Sequence, residues 1–62
     1  VSYYVLSEDD DGGVRLEGAR LNESEAIRLF KTTAHRLGCT RGDDFTALHP
    51  EKPWSVQLLS HS

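Results

Sequence analysis

Strand periodicity on both sides of one amphipathic helix predicts an α+β domain of element order ββαββ, a four-stranded mixed sheet with the helix packed on one face. Three observations carry this: period-two alternation of apolar residues at 14–19 and 54–59, a 3.6-period stripe at 27–37, and turn residues wherever the period changes. These elements nearly exhaust the 62 residues. Residues 1–62 are therefore read as a single small domain, close to the lower limit of independent stability.

Ser2-Tyr3-Tyr4-Val5-Leu6-Ser7 carries apolar or aromatic groups at four consecutive positions, which places apolar side chains on both faces and suggests a central strand. Glu8-Asp9-Asp10-Asp11-Gly12-Gly13 crowds like charges ahead of two glycines, a composition that turns the chain back. Val14, Leu16 and Gly18 then alternate with Arg15, Glu17 and Ala19, the pattern of an outer strand with one face buried. Asn22 is suited to cap a helix near residues 23–37, with Glu25 three positions on as the partner in a capping box. Ile27, Phe30, Ala34 and Leu37 fall on one side, widened by Ala26 and Leu29. Gly38 supplies the left-handed stop. Phe45, Thr46, Ala47 and Leu48 signal a short third strand, and two prolines, Pro50 and Pro53, interrupt it. Trp54, Val56 and Leu58 alternate with Ser55, Gln57 and Leu59 in a fourth, after which Ser60, His61 and Ser62 are expected to fray. The predicted core includes Val5, Leu16, Ile27, Phe30, Leu37, Trp54, Val56 and Leu58.

The first and last strands are the most apolar, so the economical arrangement puts them side by side and parallel, giving sheet order 2-1-4-3. That topology resembles the β-grasp of small immunoglobulin-binding bacterial domains and ubiquitin-like proteins. The likeness is one of architecture and carries no residue roles.

Ten acidic against seven basic residues leave a net charge of −3, which argues against a protein that coats duplex nucleic acid. Cys39 stands alone, so no internal disulfide forms, and a reducing, cytoplasmic setting is expected. Residues 1–6 show neither a basic segment nor a long apolar run, so no secretory signal is expected, and no stretch approaches the roughly 20 apolar residues of a membrane span. The acidic run departs from calcium-loop spacing at Gly12-Gly13-Val14-Arg15. His35, Cys39, His49 and His61 can be drawn as a zinc set but lack the spacing of a zinc module, and His35 with Cys39 lacks a third group to orient a base. No cofactor and no enzymatic activity are therefore expected.

Binding is the remaining class. Arg28, Lys31, His35 and Arg36 lie opposite the apolar stripe of the helix, where long basic side chains can meet an acidic partner. The sheet face not covered by the helix must expose Tyr3 or Tyr4 with its neighbour, and Tyr4 and Leu6 are taken as the second candidate surface. The expectation is a small protein-binding module, a modulator or inhibitor of a larger protein of the kind found among phage or mobile-element accessory proteins, with a homodimer through the open sheet face as a further arrangement. Separately, Ala34-His35-Arg36-Leu37-Gly38-Cys39-Thr40-Arg41 resembles the Ala-x-x-Leu-Gly-x-Ser/Thr-Arg junction of helix-turn-helix DNA-binding proteins. That likeness implies a DNA-binding alternative using residues 26–48, although Gly42, Asp43 and Asp44 would then open the recognition helix and face phosphates.

Overall fold

A computed structural model describes residues 1–62 and shows an α+β fold, one helix laid against one side of an open, wholly antiparallel sheet of five strands. In chain order these are β1 (Ser2–Glu8), β2 (Val14–Arg20), α1 (Glu23–Leu37), β3 (Arg41–Gly42), β4 (Thr46–Leu48) and β5 (Ser55–His61). Their order across the sheet is β2-β1-β5-β4-β3. The four-stranded mixed sheet of order 2-1-4-3 is thus corrected. The strand absent from that expectation is β3, whose two residues are too few to show alternation. Its presence reverses the chain once more before β5, so β5 runs antiparallel to β1 along the full register from Ser2 with His61 to Glu8 with Ser55. The β-grasp resemblance, which rests on a parallel central pair, falls with it. Residues 60 and 61, expected to fray, are instead paired to Tyr3 and Ser2.

Local chemistry explains the helix. Asn22 sits in an extended conformation, and its side-chain oxygen accepts from the Ser24 and Glu25 amides at 2.9 and 3.3 Å and from the Ser24 hydroxyl at 2.6 Å. The serine hydroxyl therefore takes part where a reciprocal Glu25 bond was expected. At the far end Gly38 adopts φ 75°, and the amides of Gly38 and Cys39 reach back to the carbonyls of His35 and Ala34, closing a Schellman turn. The buried stripe is Ala26, Phe30, Thr33 and Ala34, with Ile27, Leu29 and Leu37 half-buried along its margins.

Val5, Val56, Leu58 and Ala47 alternate inward from the sheet to meet that stripe. Val5 and Val56 are fully enclosed, each contributing about 1.5–3 kcal/mol relative to exposure. A bulge in β2 shapes the remainder of this side. Val5 pairs with Gly18 while Leu6 pairs with Leu16, so Glu17 is the extra residue. Glu17 faces the helix, accepting from the Ser7 hydroxyl at 2.5 Å and from the Arg36 guanidinium at 2.6 Å. At Gly18 a Cβ would stand 2.6 Å from Leu29 Cδ2, so any larger residue there would have to displace the end of that side chain. The same bulge corrects the position of Leu16, which is 59% exposed and outside the core. Trp54, also expected in the core, packs half-buried against it, and its indole N–H donates to Asp10 at 2.7 Å.

Candidate functional site

Of the four basic helix residues, the fold keeps three free and ties down one. Arg28, Lys31 and His35 project to solvent, whereas Arg36 is bound to Glu17 and so connects the end of α1 to β2. The three free groups also diverge. Lys31 and His35 line a groove of about 340 Å³ between α1 and the β3–β4 hairpin, where they meet Arg41, Asp43 and Asp44. Arg28 lines another groove, about 390 Å³, with Arg20 and Glu25 on the β2 side. The helix ridge separates them, so they do not form one convergent basic site. Charge in the first groove is mixed, since Asp43 and Asp44 face the cations.

Asp43 has a structural task. Its carboxylate accepts from the amides of Phe45 and Thr46, both at 2.9 Å, and these donors hold its pKa below the usual carboxylate value. The turn they build is compact enough that Gly42, at φ 126°, lies against the Thr46 carbonyl. Arg41–Gly42 and Thr46–Leu48 are therefore strand, and no second helix follows the Ala34–Arg41 segment.

Cys39 lies on the floor of the same groove, buried, with its sulfur 3.8 Å from the Trp54 carbonyl oxygen. Burial pushes the thiol pKa up, which favours the protonated form over a thiolate nucleophile. The residues drawn as a zinc set are dispersed. His49 Nδ1 accepts from the amides of Glu51 and Lys52 at 3.0 Å, and its ring stands edge-on to Trp54 at 5.3 Å. His61 is at the opposite end of β5, beside Ser2. No three His, Cys, Asp or Glu side chains converge on a metal-sized space. The acidic loop is likewise internally engaged: Asp9 accepts from the Asp11 amide, and Asp10 holds Trp54.

The far side of the sheet is different. Strand alternation sends Tyr4 and Leu6 of β1 outward, and the register sets Leu16 beside Leu6 and Leu59 beside Tyr4. Val14 and Leu48 extend the same surface at the Glu8 end. Val14 is 65% exposed, Leu48 47% and Leu59 46%. Tyr4 and Leu6, flanked by these neighbours, are half-buried. Sequence reasoning found Tyr4 and Leu6 but assigned Leu16 to the interior and missed Val14, Leu48 and Leu59 as contributors. Alternation marked Leu59 as outward; the bulge that turns Val14 and Leu16 outward left no mark in the sequence. No helix is long and apolar enough to cross a membrane. Compared with protein-family models, curated proteins and solved structures, the chain matches none.

Proposed function

We propose that this chain is a non-enzymatic protein-binding module, of the modulator class, whose principal contact surface is the open face of its sheet. One observation carries the reading: Leu16 and Leu59 flank Tyr4 and Leu6 as an exposed apolar surface that Val14 extends along β2, with Leu48 on the same face beyond Ser55 and Gln57. Scattered apolar residues are ordinary on a protein surface, but a contiguous patch on a rigid sheet is characteristic of a surface that another protein covers. Tyrosine at its centre adds apolar area with a polar handle, a combination enriched where binding energy concentrates. The protonated, buried Cys39 and the separated histidines support binding over catalysis. Arg28 and Lys31, on the opposite side of the molecule, are positioned to steer an acidic partner rather than to anchor it.

The test is affinity capture from a native lysate with the chain as bait, compared with a Leu16→Glu/Leu59→Glu bait. A protein retained by the first and released by the second, further copies of this chain included, is the expected result. A captured set unchanged by the double substitution would overturn the assignment of the surface. Reproducible turnover abolished by Cys39→Ala or His35→Ala would overturn the non-enzymatic reading.

A further inference from the structure

We infer that the occupant of the open sheet face is a second copy of this chain, packed face to face in a symmetric dimer with the helices on the outside. The inference rests on the proposed binding role and specifies the partner of that surface. Four features of the fold support it.

The first is charge. Among the outward residues of the sheet the groups that carry charge are Glu8, Arg41 and His61, and all three lie at its margins. An acidic or basic partner finds little to pair with, whereas an identical neutral face meets no buried charge. The second is shape. Sheets packed face to face keep their strands within about 30° because each carries the same hand of twist. A second copy supplies that twist automatically.

The third is register. With a two-fold axis parallel to the strands and passing between β1 and β5, each β1 lies over β5 of the second copy and each β2 over β4. Rows that are level in the sheet then face one another: Tyr4 meets Leu59, Val14 meets Leu48, Leu16 meets the methyl group of Thr46, Leu6 meets the stem of Gln57, and Glu8 meets the Ser55 hydroxyl at the open end of the sheet. Each contact occurs twice. The fourth is size and need. The molecule measures 33 × 20 × 15 Å, and a face bounded by the two longer dimensions is of the order of the ~800 Å² per partner that a standard interface buries. Only 10 of 62 residues are buried in the single chain. A second copy would cover large apolar side chains that the single chain leaves exposed, Val14, Leu16, Leu48 and Leu59 among them.

The experiment is sedimentation equilibrium of the purified chain from micromolar to millimolar concentration. The expected mass is twice the 6.9 kDa of the monomer at the upper end. Leu16→Glu and Leu59→Glu should each weaken association at least about tenfold, while Thr32→Ala on the exposed side of the helix leaves it unchanged. Because a glutamate variant that loses its circular dichroism would be uninformative, a second measurement uses the unaltered chain. Isotope-filtered NOEs in a mixed labelled sample should connect the Tyr4 ring of one copy to the Leu59 methyls of the other. A mass of 6.9 kDa at every concentration, or a dimer without those NOEs, overturns the inference. In the first case a lysate protein that still discriminates between the two baits leaves the binding role standing and makes the occupant a different protein.

Discussion

Val56→Ala and Leu16→Ala should differ severalfold in cost, although the same alternating pattern suggested both as core residues. Val56 is 0% exposed, between Ser7 and Ala47 on the helix side of the sheet. Its replacement removes two carbons at about 0.8 kcal/mol each and leaves a cavity, so the loss is about 2–3 kcal/mol. For 62 residues the whole stability is about 3–9 kcal/mol. The substitution therefore removes a large part of it, lowering Tm by about 10–20 °C. Leu16 is 59% exposed, so most of its side chain gains nothing from folding in the single chain and its truncation should cost less than about 1 kcal/mol. The assay is urea unfolding followed by circular dichroism at low micromolar concentration, where association does not contribute. Equal losses for the two variants would refute the reasoning, because Leu16 would then be enclosed and the β2 register would differ by one residue. At high concentration the Leu16→Ala loss should grow as the dimer adds its own stabilisation, since binding to the folded state raises apparent stability by mass action.

Gly42→Ala should damage the β3–β4 hairpin more than any other single-methyl change. It forces a side chain onto φ 126° and against the Thr46 carbonyl, at about 1–3 kcal/mol for the backbone alone; the readout is lost hydrogen-exchange protection of the Asp43 amide, which normally donates to Thr46. Asn22→Ala removes the acceptor for the Ser24 and Glu25 amides and should cost about 1 kcal/mol in urea unfolding, while Asn22→Ser recovers most of it. The Asp43 carboxyl, held down by the Phe45 and Thr46 amides, should titrate by carbon-detected NMR below the ordinary value of about 3.9. Because its folded pKa is the lower one, its stabilisation is complete above that ordinary value and disappears as pH falls through the folded midpoint; a midpoint at or above about 3.9 would contradict the turn geometry.

What the linear pattern determined was whatever depends on near neighbours in the chain. The α1 limits follow from Asn22 and Gly38, which satisfy orphan backbone groups within a few residues. The strand segments around Val5, Leu48 and Val56, the turn at Gly12 and the exposure of Arg28, Lys31 and His35 follow from alternation and helical period in the same way. The features that escaped it depend on pairing between distant segments. A two-residue strand such as β3 exists only because β4 is there to receive it, and that one strand changes the direction of β5 and removes the parallel centre. The Glu17 bulge exists because β1 aligns with β2 on both sides of it, and it sends Leu16 out of the core while drawing Glu17 in toward Arg36. The candidate surface follows the same division. Tyr4 and Leu6 were readable from the alternation of one strand, but the apolar face they belong to is assembled from four strands, because only lateral hydrogen bonding brings Leu16, Leu48 and Leu59 onto one side of one sheet.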